Sequence, residues 1–149
     1  MKKLLLGLTF LSAMLISQVS FAQNQINDSE LTTEFVQIEE QDGVKFSVAK
    51  QECMVFEGQK PLVYIFVKIE NTTNVEKTVD FGIALSYVEG CSGCDYDSEF
   101  KTTLTIGAGE TITGDCNFET RGTSRIVANP NLEGGWTFEG VQIMFIEIK

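Results

Sequence analysis

The sequence predicts an all-β fold, an antiparallel β-sandwich of about seven or eight strands. Three observations carry that expectation. Apolar and polar residues alternate through successive runs, as on strands with one buried face. Turn residues punctuate these runs at intervals too short for the crossovers that parallel strands need. No window carries an apolar stripe at helical spacing.

Strand-like runs begin at Phe35. "VKFSV" sets Val44, Phe46 and Val48 on one face and Lys45 and Ser47 on the other. "QECMVF" places Cys53 and Val55 in the opposite parity, so a bulge or turn is expected near Lys50. "PLVYIFVKIE" puts Val63, Ile65, Val67 and Ile69 on one face, with Tyr64 and Phe66 behind them. That pattern suits a central strand covered on both sides at its start. "NTTN" is a turn. "KTVDFGIALSYV" turns Val79, Phe81, Ile83, Leu85 and Tyr87 inward and is the clearest half-buried strand. "EFKTTLTI" sets Phe100, Leu104 and Ile106 inward and leads to the tight turn "GAGE". "TITGDCNF" returns with Ile112, Gly114, Cys116 and Phe118 on one face. "TSRIVA" is short, with Ile126 inward. "WTFEGVQIMFIEIK" closes the series: Gly140 is expected to break its register, and Trp136 and Phe138 are expected in the core.

The N-terminal stretch "MKKLLLGLTFLSAMLISQVSFAQ" has the layout of a cleaved signal peptide. Lys2 and Lys3 precede an apolar run, and Ser20 to Ala22 offer small residues at the cleavage site. The expected organisation is therefore signal peptide 1–22, flexible leader 23–33 and β-sandwich domain 34–149. The apolar run is short for a membrane span, and no later segment is long enough, so no membrane span is expected. The protein is expected in the periplasm or outside the cell. The formal net charge is −10, which argues against nucleic acid as a partner. The chain has no His, which removes Ser-His-Asp and Cys-His catalysis and every imidazole-ligated metal site. It carries no phosphate-binding glycine loop.

The stretches "IENTTNVEKTVDF" and "LTIGAGETITGDC" resemble small exported immunoglobulin-like β-sandwich domains of bacteria, in which a strand pair of this type precedes a Gly-Glu hairpin. They are also similar to secreted bacterial proteins with a C-x-x-C loop between those elements and a G-D-C after them. The resemblance covers roughly Val63 to Phe118 and implies an immunoglobulin-like sandwich. It implies no site residues. The antibody pattern does not fit, because Trp136 lies after all four cysteines.

Cys53, Cys91, Cys94 and Cys116 form an even set in a chain expected to be exported, so two disulfides are expected. The strand order brings all four to one end of the sandwich. Cys116 joined to Cys91 or Cys94, with Cys53 joined to the other, is the preferred pairing; Cys91–Cys94 with Cys53–Cys116 stays open. Three other chemistries compete for this end. Thiol redox catalysis needs a stabilised thiolate, yet Glu89, Asp95, Asp97 and Glu99 surround C-S-G-C and oppose one. A four-thiolate zinc site needs four reduced cysteines at one point, against the expected compartment. Calcium could use Asp95, Asp97 and Glu99, but Phe100 and Ile106 stand where an EF-hand needs Gly and Glu.

These observations favour a secreted, non-enzymatic interaction or structural module without a cofactor, held by two disulfides. A protein or glycan partner is expected at the acidic loop of Glu89, Asp95, Asp97 and Glu99. A metal-binding or thiol-redox protein using the same end is the alternative.

Overall fold

The computed structural model describes residues 24–96, 99–127 and 135–149. The expected signal peptide, Asp97, Ser98 and residues 128–134 lie outside the described residues. The described chain forms β1 (Ile26–Asn27), β2 (Val36–Gln41), β3 (Val44–Cys53), β4 (Leu62–Asn71) and β5 (Lys77–Tyr87). It continues with β6 (Gly90–Ser92), β7 (Lys101–Ile106), β8 (Thr111–Thr113), β9 (Ser124–Ile126) and β10 (Phe138–Ile148). Among the described residues there is no α-helix.

Two antiparallel sheets make the expected sandwich. One runs β1-β10-β5, with β6 and β7 sharing the far edge of β5. The other runs β2-β3-β4, with β8 and β9 sharing the far edge of β4. The short turn after Asn71 carries the chain from one sheet to the other, so β4 and β5 are the central strands. Between the sheets lie Val44, Phe46 and Val48 of β3 and Ile65, Val67 and Ile69 of β4. Val79, Phe81, Ile83 and Leu85 of β5 and Val141 and Ile143 of β10 meet them there. Phe46 and Phe81 touch across this space with ring centroids 5.6 Å apart. Burial of such alternating faces is the main stabilising contribution.

β1 and β6 add to the expected seven or eight strands. Two or three residues are too few to show a period, so β1 and β6 leave little trace in the sequence, while β8 and β9 are shorter than the runs "TITGDCNF" and "TSRIVA" suggest. β1 lies in the segment expected to be a flexible leader. Ile26 pairs with Val141, Leu31 is buried, and Lys50 meets Asp28 at 2.5 Å, so this stretch is tied to the sandwich. Its isolated apolar residues gave no periodicity to read.

β3 does not break near Lys50. Its pairing with β4 runs unbroken from Val44↔Asn71 to Cys53↔Leu62. The change of parity has another cause: the second sheet is covered on its outer face too. Ala49, Cys53, Tyr64 and Phe66 fall on that face by alternation, and Phe66 is fully buried there. The cover is the segment after β8. "TITGDCNF" is a strand only to Thr113. Gly114 then lies so close to Thr123 that a Cβ would meet its carbonyl oxygen at 2.3 Å. Phe118 turns back over Tyr64, with ring centroids 4.9 Å apart, and over Phe66 at 5.9 Å.

Parity also reverses in "TSRIVA". Arg125 pairs with Ile65 and is buried, whereas Ile126 is exposed. Phe100 and Trp136 are exposed rather than in the core, while Phe138 packs against it. In β10 the register shifts at Gly140, as expected, and again between Met144 and Glu147. The second shift brings Ile146 and Ile148 to the core.

Candidate functional site

Cys53 ends β3 and is bonded to Cys116, with Cα atoms 5.5 Å apart. Cys91 and Cys94 are bonded to each other, with Cα atoms 5.9 Å apart. The preferred pairing of Cys116 with Cys91 or Cys94 is therefore corrected. Both bridges do lie at the same end, where β3 stops and β5 ends at Tyr87. They belong to different sheets, however: Cys53 ends β3 and holds Cys116 of the turn after β8, whereas Cys91 is on β6 beside β5. The outward turn of the chain after β8 points Cys116 at Cys53 and away from the C-S-G-C loop. All four sulfurs are consumed, so the four-thiolate zinc reading has no thiolates to use in this state.

The C-S-G-C loop is seated on a cation that the sequence reading did not place. β7 pairs with β5 up to Gly82, and β6 pairs from Leu85 onward. Ile83 falls in the break between them. Its carbonyl accepts an N–H from Arg125, which reaches across from β9 in the other sheet. The second guanidinium nitrogen donates to the Ser92 hydroxyl at 2.6 Å. Gly93, at φ +86°, leaves room for the guanidinium, since a Cβ there would lie 2.1 Å from an Arg125 nitrogen. Both residues between the cysteines thus lie against Arg125. The Phe100 ring covers its open side, 3.4 Å from centroid to guanidinium carbon. Burial lowers the Arg125 pKa, and attraction to Tyr87 and Glu99 opposes that shift. The guanidinium stays charged at neutral pH.

The predicted acidic residues do not act as one group. Glu89 accepts the backbone N–H of Thr137 at 2.9 Å and pins the approach to β10. Asp95 is exposed. Glu99 lines a small cleft of about 210 Å³ together with Ile83, Phe100, Thr102, Gly122, Ser124 and Arg125. Asp97 lies outside the described residues, and so does its part in the calcium reading. Among the described residues no three His, Cys, Asp or Glu side chains gather as a metal site.

Exposed apolar side chains concentrate at this end. Met54, Val55 and Phe56 follow Cys53, and Val88 and Trp136 flank Tyr87. Met54 and Val88 are each 64% exposed and Phe56 is 56% exposed. Beside the C-S-G-C loop, Tyr96 stands edge-on to Phe145 at 5.4 Å, with the Lys101 ammonium 3.7 Å from its ring centroid. Arg125 and these aromatics had one sequence signal available: a cation at a core-facing position of a short strand.

Among the described residues no helix is long and apolar enough to cross a membrane. No family model matches the chain, and no curated protein matches it. Among solved structures the chain is similar to the crystal structure of a DUF1425 family member from Shewanella sp. pv-4. The two share 10% identity over 83% of this chain and 94% of that chain, with a TM-score of 0.39.

Proposed function

We propose that this protein is an exported, non-enzymatic module that docks a protein partner at its disulfide-bearing end. The observation that carries this reading is the gathering of Met54, Val55, Phe56, Val88 and Trp136 at one end of the sandwich. Single exposed apolar residues are ordinary on a surface, whereas a group of them with an acidic border is characteristic of a contact surface. Glu52, Glu57, Glu89 and Asp95 supply that border. A partner with apolar anchors and a basic rim complements it, and the carboxylates speed the encounter and set orientation. Two bridges and the Arg125 seat stiffen the loops beforehand, which lowers the entropy lost on binding. Export supplies the oxidising compartment in which such bridges persist.

The test is capture from the native envelope with the full exported chain as bait. A Phe56→Ser and Trp136→Ser double variant is expected to lose a partner that wild type retains. Glu57→Ala with Asp95→Ala is expected to weaken capture in a salt-dependent way. Val75→Ser alters an exposed apolar residue beside the β4–β5 turn and is expected to change nothing. Equal capture by the double variant and wild type would overturn the reading.

A further inference from the structure

We infer that the Cys91–Cys94 bridge is a thiol–disulfide exchange site for a dithiol reductant, with Arg125 stabilising the thiolate released. The inference stands on the geometry of the loop and does not require the docking partner proposed above.

Exchange depends on which sulfur can be attacked and on how well the other one leaves. Cys91 is exposed and Cys94 half-buried, so the incoming thiolate has access to the Cys91 sulfur. Cys94 leaves next to Gly93 and Ser92, both of which lie against the Arg125 guanidinium. A fixed cation beside a thiolate lowers the thiol pKa and makes it a better leaving group. The other bridge offers the reverse. Cys116 is exposed, but its partner Cys53 is 1% exposed under the outer cover, so attack there would expel a thiolate into a buried apolar place. Opening it would also free a loop of 63 residues, against 3 for Cys91–Cys94.

A thiolate of the dithiol attacks the Cys91 sulfur, the Cys91–Cys94 bond breaks, and Cys94 leaves as a thiolate. The second thiol of the reductant then attacks the mixed disulfide. The reductant is oxidised to its own disulfide, and Cys91 is released. Two electrons pass to the bridge, the proton of the second thiol passes to Cys91, and Cys94 remains the thiolate beside Arg125. Around the loop stand Arg125 from β9, Tyr87 from β5 and Glu89 from the turn. Asp95 and Tyr96 follow the bridge, and Glu99 and Lys101 stand at β7. Among them Arg125 is the cation in contact with the residues between the two sulfurs.

The experiment uses the full oxidised protein without denaturant. It is titrated with dithiothreitol, quenched with an alkylating reagent, and mapped by peptide mass spectrometry. Cys91 and Cys94 are expected to label at a reductant concentration at least about tenfold below that for Cys53 and Cys116, with circular dichroism unchanged. Labelling of both pairs together, or of Cys53 and Cys116 first, would overturn the inference. A second readout needs no variant: the pH profile of alkylation of the reduced loop. Its midpoint is expected below the ordinary cysteine value of about 8.5, and a midpoint at or above it would overturn the role of Arg125. Arg125→Gln is expected to raise that midpoint and Arg125→Lys to restore part of the difference.

Discussion

Arg125 gives the Ile83 carbonyl the donor that a neighbouring strand would have given. Strands in a sheet satisfy one another's backbone groups, and a break in the edge leaves a carbonyl to be partnered by other means. Here the break between β6 and β7 is filled by a side chain from the opposite sheet. The charge does not float in the core, because Ser92 and the Phe100 face complete its surroundings. Arg125→Met keeps much of the volume and removes every donor. It is expected to cost about 2–3 kcal/mol, read as a lower urea midpoint with unchanged slope, since a buried carbonyl is left without a partner. An unchanged midpoint would show that water replaces the guanidinium at no cost. At this scale the sequence was partly misleading. Alternation assigned Ile126 inward because apolar residues usually face the core. The favourable site for the guanidinium at Ile83 is a tertiary feature that no local pattern encodes.

Elements, by contrast, were legible where they were long. β4, β5 and β7 follow their alternation closely, as β3 does from Val44 to Val48, because each has a core face of several residues. What alternation missed was the second layer. The segment from Gly114 to Thr123 folds over the outer face of the β3-β4 sheet and makes a small apolar cluster of Tyr64, Phe66 and Phe118. Cys53–Cys116 fastens this cover to the end of β3. The pairing preference failed for the same reason, since a strand running on past Thr113 would have carried Cys116 elsewhere. The two bridges should therefore differ in weight. Removing Cys53 and Cys116 together is expected to cost about 4 kcal/mol, and removing Cys91 and Cys94 together about 2 kcal/mol, from the loop lengths alone. Guanidinium unfolding of the two double alanine variants checks this. The reverse order would mean that the C-S-G-C loop, and not the outer cover, dominates the stability of this end.

On the scale of the whole molecule, the β5 edge and the end of β10 are joined by charge. Asp80 accepts from Lys149 at 2.8 Å and from the Thr103 hydroxyl at 2.5 Å, which links β5, β7 and the residue after β10. The Lys149 bond, then the Thr103 bond, hold the Asp80 pKa below its ordinary value. A lowered native pKa contributes stability that is fully present above the unfolded value of about 3.9 and is lost as pH falls through the native value. Lys149 is shifted upward by Asp80, so its share is complete below the ordinary lysine value and is lost only in strong alkali. Wild type is thus expected to melt above Asp80→Asn at pH 6, with the difference closing below about pH 4. A difference that persists unchanged to pH 2 would mean that charge plays no part in the link.

The opposite end of the sandwich is held without sulfur. Asn71 is fully buried where the chain passes from β4 to β5. Its amide donates to the carbonyls of Val75, Ile106 and Gly107, and its side-chain oxygen accepts from the Thr73 N–H and hydroxyl. Thr72 closes on the Gly43 carbonyl, and Asn71 N–H on the Glu110 carbonyl. One molecule therefore has a covalent end and a hydrogen-bonded end. A thiol reductant loosens it from the first, while urea, which competes for amide bonds, works on the second. The surface proposed to meet a partner stands at the end that responds to the redox state of its surroundings. The end where the chain changes sheets does not share that sensitivity.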